Sequence, residues 1–118
     1  MAPEPVDLSA KLATFDDTWS PHTVATFNGH DVMVVKVEGE FVWHHHDDTD
    51  DLFLVLSGRL TIETEDGDVA LGPGQLYVVP KGVEHRPVAH EPTELLLMEP
   101  TGTPNTGNAA TAAPRREI

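Results

Sequence analysis

The sequence predicts an all-β domain, a sandwich or barrel of short strands with a helical arm in front of it. Apolar and β-branched runs recur at short, regular intervals through residues 23–99. Each run is closed by Gly, Pro, Asn or Asp at a turn. None is followed by the helical pattern of about 10–15 residues that a βαβ unit requires, which excludes a parallel α/β sheet. At 118 residues the chain suffices for one core and is too small for two.

In the arm, residues 1–20, Leu8, Leu12 and Phe15 recur at helical spacing. A short amphipathic helix is expected there, ending before Trp19-Ser20-Pro21 and covering an open end of the main domain. The main domain is read as residues 21–100. Asn28-Gly29 is a tight hairpin turn between strands at 23–27 and 31–38. Gly39 is expected to break the chain before a strand at 40–46. Gly58 separates 52–57 from 59–65, and Asp66-Gly67 forms a second hairpin into 69–71. Gly72-Pro73-Gly74 leads into 75–79, Pro80-Lys81-Gly82 turns the chain again, and strands at 85–89 and 94–99 follow. Residues 52–56 and 95–98 are apolar on both faces, so they need cover on both sides, and a homodimer is expected. From Thr101 onward the composition is Thr, Gly, Pro, Asn and Ala, a tail (101–118) too poor in apolar residues to fold alone.

A net charge of −13 argues against nucleic acid as a partner and disfavours an anionic membrane surface. No apolar stretch approaches the ~20 residues of a membrane span. Met1-Ala2-Pro3-Glu4-Pro5 has neither the basic nor the apolar region of a secretory signal, so a cytoplasmic protein is expected. There is no cysteine, so any metal must be held by nitrogen and oxygen.

The densest chemistry lies in His44-His45-His46 followed by Asp47, Asp48, Asp50 and Asp51, with His85 further on. Imidazoles and carboxylates are costly to desolvate without a partner, and a divalent metal is the usual one. Strand alternation sends His44 and His46 to one face, making a clamp for a single ion, and His45 to the other. Asp51 follows within reach of a turn, and His85 can supply a ligand from across a barrel. The surrounding carboxylates are expected to favour imidazolium, so that metal occupancy falls steeply in mild acid. Gln75 and Tyr77 share a face of the strand before His85 and are expected to line a pocket as substrate-binding residues. Glu40 shares the parity of His44 and His46, and Arg59 and Arg86 each offer a site for an anionic substrate.

These spacings resemble the two motifs of the cupin family. The first reads Gly39, His44-x-His46, four residues, Asp51, six residues, Gly58. The second reads Gly74, five residues, Pro80-x-Gly82, two residues, His85, and the fifteen residues between the motifs suit a short hairpin. The resemblance implies a jelly-roll β-barrel (RmlC-like) with a metal inside, held by His44, His46, His85 and Asp51. Asp51 stands where cupins usually carry glutamate, and its shorter arm leaves two arrangements open, a three-histidine face or a set completed by the carboxylate. The implied cofactor is one divalent transition metal, among Fe, Mn, Ni, Zn, Cu and Co. The implied function is action on a small metabolite through that centre, as an oxygenase or an isomerase of the mannose-6-phosphate-isomerase-like group. The alternative is a non-catalytic module that binds a metal or small ligand.

Overall fold

The computed structural model describes residues 4–118, so residues 1–3 of the arm lie outside the described residues. One short helix, α1 (Leu8–Leu12), precedes eight strands: β1 (His22–Phe27), β2 (His30–Glu40), β3 (Asp51–Ser57), β4 (Leu60–Thr64), β5 (Gly67–Leu71), β6 (Leu76–Val79), β7 (His85–Pro100) and β8 (Arg116–Glu117). Asp7 caps α1 by accepting a hydrogen bond from the Ala10 N–H at 3.1 Å. The helix buries Leu12 but stops well before Phe15, whose ring instead stacks on His22 at 3.8 Å. No described helix is long and apolar enough to cross a membrane.

The architecture is the all-β jelly roll that the sequence predicts, built around two long strands. β2 and β7 pair antiparallel from His30↔Pro100 to Glu40↔Val88. The other edge of β7 is shared: its first residues pair with β4 (Thr64↔His85 to Thr61↔Val88) and its later ones with β3 (Ser57↔Glu94 to Leu52↔Met98). β7 therefore belongs to both layers, and the two expected strands at 85–89 and 94–99 are halves of one bent strand. The change of layer falls where Gly58 meets Thr93. Gly58 sits at φ +86°, and an added Cβ would overlap the Thr93 hydroxyl, so only glycine fits this corner. Asn28 and Gly29 both take positive φ, as a tight hairpin of this twist requires.

The core lies between the layers, where Met33, Val35, Val37, Phe53, Val55, Leu60, Ile62, Leu95 and Leu97 pack together. Along β3 the buried positions alternate, with Asp51, Phe53 and Val55 inward and Leu52, Leu54 and Leu56 half-buried on the outer face. That inward parity carries Asp51 into the same interior as the core.

The expected strand at 40–46 does not form. β2 continues through Gly39 to Glu40, and beyond it the Phe41 N–H donates to the Pro87 carbonyl at 3.0 Å. Pro87 has no N–H to return a bond, so the ladder stops. Among the described residues the backbone then pairs with β7 again at the bridge His44↔His85. The tail is laid along the barrel: β8 pairs parallel with β1 (His22↔Arg116, Thr23↔Glu117), and the Ile118 N–H donates to Thr23 O at 3.0 Å.

Candidate metal centre

Asp51 and His85 are each the first residue of a strand, so the sheet register fixes where their side chains begin. His44 is pinned beside His85 by a reciprocal pair of backbone bonds, 3.0 Å from His44 N to His85 O and 2.9 Å from His85 N to His44 O. His46 follows two residues on, and its carbonyl accepts the Gly82 N–H at 2.8 Å. The turn before β7 is thereby tied to the histidine segment.

The four side chains meet. One ligand atom from each of His44, His46, Asp51 and His85 lies within 4.8 Å of all the others. Asp51 Oδ2 is 3.1 Å from His85 Nε2, 3.2 Å from His46 Nε2 and 4.0 Å from His44 Nε2. All four residues are 6% exposed or less. The Nδ1 atoms of His44 and His85 each lie 2.9 Å from a backbone carbonyl, of Val42 and Val83 respectively. A proton held there would free Nε2 of each for a metal, whereas in this structure His85 Nε2 lies at hydrogen-bond distance from Asp51 Oδ2.

Electrostatics point the same way. Burial pushes the His44 imidazole down to about 4, a stronger effect than the opposing bond to Val42. At His44, burial therefore outweighs the neighbouring Asp51 charge that favours imidazolium. Burial alone would raise the Asp51 carboxyl, but contacts with His46, His85 and Glu99 outweigh it and keep Asp51 ionised below the usual carboxylate range. His46 Nε2 and Asp51 Oδ1 are buried without any hydrogen-bond partner. Buried polar atoms without partners are rare, and an ion at the cluster would satisfy His46 Nε2. Three imidazole nitrogens and one carboxylate oxygen fit a divalent transition metal.

Sequence reasoning missed Glu99, which is 3% exposed with Oε1 4.0 Å from His46 Nε2. Burial and the Asp51 charge push its carboxyl up to about 9, against the pull of Arg115. Its signal was parity, since Leu95, Leu97 and Glu99 alternate inward along β7. A cavity of about 40 Å³ opens beside the cluster, walled by Trp19, Val37, Phe41, Phe53, Leu95 and Leu97, with His44, Asp51, Glu99 and Asn105 as its polar lining. Trp19 and Phe41 stack at 4.8 Å, and Phe41 meets His44 edge-on at 5.4 Å.

Other candidates lie elsewhere. Gln75 is exposed in the turn before β6, where its Oε1 accepts the Gly72 N–H at 2.8 Å, and Tyr77 is half-buried against the core. Neither lines the cavity, because the turn spends the Gln75 carboxamide locally. Asp50 is outside, accepting the Lys81 N–H at 3.0 Å. Arg86 is held on the surface by Glu40 at 2.9 Å and Glu63 at 2.7 Å.

A family model for the cupin domain (Cupin_2) matches residues 31–99. The chain belongs to the cupin family. This cupin is 44% identical to a cupin-2 domain-containing protein from Shewanella frigidimarina, whose crystal structure superposes with a TM-score of 0.79 over 80% of this chain and 93% of that one. It is 37% identical over 78 residues to the uncharacterised protein YdbB of Bacillus subtilis, covering 65% of this chain and 69% of that protein. A hydroquinone 1,2-dioxygenase from Sphingomonas sp. TTNP3, crystallised with 4-hydroxybenzoate, superposes with a TM-score of 0.67 at 14% identity, over 92% of this chain and 75% of that one. At that identity the likeness shows the fold alone.

Proposed function

We propose that this cupin acts on a small, largely apolar metabolite through one divalent metal ion held by His44, His46, Asp51 and His85. The observation that carries the reading is the buried convergence of three imidazoles on an ionised carboxylate, with His46 Nε2 left without a hydrogen-bond partner. A bound divalent metal would act there as a Lewis acid, or activate dioxygen if it is iron. The chain's own residues do the rest. The Val42 and Val83 carbonyls orient His44 and His85, and the Trp19, Phe41 and Phe53 rings exclude water and select a flat or apolar ligand body. Glu99 is a carboxyl able to hold a proton beside the ligand set. The Sphingomonas relative, bound to a small aromatic acid, supports a ligand of this size class in the same fold.

A non-catalytic metal- or ligand-binding module is the second reading. It is favoured by the tying of both remaining polar groups of the cavity, Glu99 to Arg115 and Asn105 to the backbones of Trp19 and Ala113. The test is elemental analysis of untagged protein beside His44→Ala and His85→Ala, followed by turnover assays with the metal found. Near-stoichiometric metal lost in both variants supports the centre. Iron with substrate-dependent oxygen uptake selects the oxygenase version, and Mn, Ni or Zn with isomerisation selects the mannose-6-phosphate-isomerase-like one. Metal without turnover selects the module. We also assign the outer face of β3 and β6, where Leu76 is 57% exposed beside half-buried Leu54, to a second copy of the chain. Sedimentation of wild type against Leu76→Lys tests that homodimer.

A further inference from the structure

The tail runs from the end of β7 back across the mouth of the metal cavity. Gly107 lies so close to the histidine segment that an added Cβ would overlap the His45 carbonyl oxygen. Asn105, whose Nδ2 donates to Trp19 O at 3.4 Å, supplies the part of the cavity wall that the barrel strands leave open. The Ala113 N–H donates to Asn105 Oδ1 at 3.0 Å and folds the segment back on itself. Beyond it, Arg115 enters between the start of β2 and the end of β7.

There the guanidinium is only 14% exposed. Its Nη1 donates to Asp31 Oδ2 at 2.9 Å and to Pro100 O at 3.2 Å, and its Nη2 donates to Glu99 Oε2 at 2.8 Å and to Thr103 O. Thr101 completes the set by donating to Asp31 Oδ1 at 2.9 Å. One residue therefore joins the tail to both long strands and to the carboxylate beside His46.

We propose that residues 101–118 form a lid over the metal cavity and that Arg115 is its clasp. The inference rests on the proposed metal centre and adds how that centre is reached. Size is the first argument. A cavity of about 40 Å³ accommodates roughly two or three waters, so any ligand with more than a few atoms must enter with the lid released. The second is the nature of the hold. The segment is built of Thr, Gly, Pro, Asn and Ala and attached by hydrogen bonds and one ion-pair cluster rather than by apolar burial. Elements attached in this way open locally at far lower free energy than the core. The third is geometry. Forked bonding of the guanidinium to the Asp31 carboxylate and the Glu99 carboxyl gives the closed state one defined position.

The test uses full-length protein loaded with Co²⁺, whose visible absorption reports its transfer to EDTA, and compares wild type with Arg115→Ala and Arg115→Lys. The Ala variant is expected to release Co²⁺ about tenfold faster or more, with Lys between, since forked charge-assisted bonds are lost or halved. Equilibrium Co²⁺ content should be unchanged. Hydrogen exchange at the amides of Ala113 and Ile118 should speed up by a similar factor, while that of Val55 in β3 stays slow and shows that the barrel is folded. Equal release and equal exchange in wild type and Arg115→Ala overturn the lid. Reduced Co²⁺ content with unchanged tail exchange also overturns it, by assigning Arg115 to the ligand set through Glu99. If wild type takes up no Co²⁺, the metal reading fails and the exchange comparison alone decides the lid.

Discussion

Two clusters of histidine and carboxylate lie back to back in this molecule, and they behave oppositely. On the inner side, His44, His46 and His85 converge on Asp51, all buried. On the outer side, the exposed His45 sits 2.7 Å from Glu84 and 3.0 Å from Asp47. His44 and His45 are adjacent in sequence and chemically identical. Burial pushes the first down to about 4, whereas the hydrogen bond to Glu84 pulls the second up. The inner cluster is thus prepared for a metal ion and the outer one for a proton. Water makes the difference, because a solvated imidazole gains charge cheaply beside a carboxylate and a desolvated one does not.

The largest expected effect breaks the inner cluster alone. His44→Ala and His85→Ala should each abolish stoichiometric metal binding, a loss beyond the 10- to 100-fold (on the order of) typical of changes one shell further out. His45→Ala should leave the metal content at the wild-type value, and titration calorimetry with Co²⁺ reads all three. Next, Asp51→Asn should weaken metal binding by about tenfold or more, and Asp50→Asn should not. Equal affinity for Asp51→Asn and wild type would select the three-histidine face instead.

A third effect concerns metal-free protein. An unfolded His44 takes up a proton near pH 6.5, which the folded one refuses until about pH 4. The folded state binds fewer protons in that window, so this residue's contribution to stability falls as pH drops through it, by up to about 3 kcal/mol. Glu99 works in the other direction, because its raised pKa makes the folded state hold a proton that the unfolded chain releases above about pH 4.5. The prediction is therefore a difference. Between pH 7 and pH 4.5 the urea midpoint should fall further in wild type than in His44→Asn. The smallest effect belongs to the outer cluster: Glu84→Gln should lower the His45 titration midpoint toward its ordinary value by NMR, with the thermal midpoint unchanged.

Much of this was legible beforehand. That His44, His46, Asp51 and His85 come together was legible in the motif spacing, although the strand at 40–46 behind the parity argument does not form. The Asn28-Gly29 and Asp66-Gly67 hairpins were readable because the turns need the backbone freedom these residues supply. The strand at 40–46 was misread because its partner ladder ends at Pro87, far away in sequence. Glu99 obeyed the same parity rule as Leu95 and Leu97, but a carboxylate closing an apolar run reads as a strand end facing water.

The sequence by itself determined the element types, the turns and the metal-ligand candidates, since these follow from periodicity and residue chemistry over a few positions. Tertiary structure alone decided which carboxylates face inward, that Trp19 and Phe41 wall the cavity, and that a compositionally plain tail is fastened by Arg115. Those outcomes depend on contacts between distant parts of the chain, such as Arg115 with Asp31 and Trp19 with Asn105. Such contacts carry no local periodicity, and only the folding of the sheet brings their partners together.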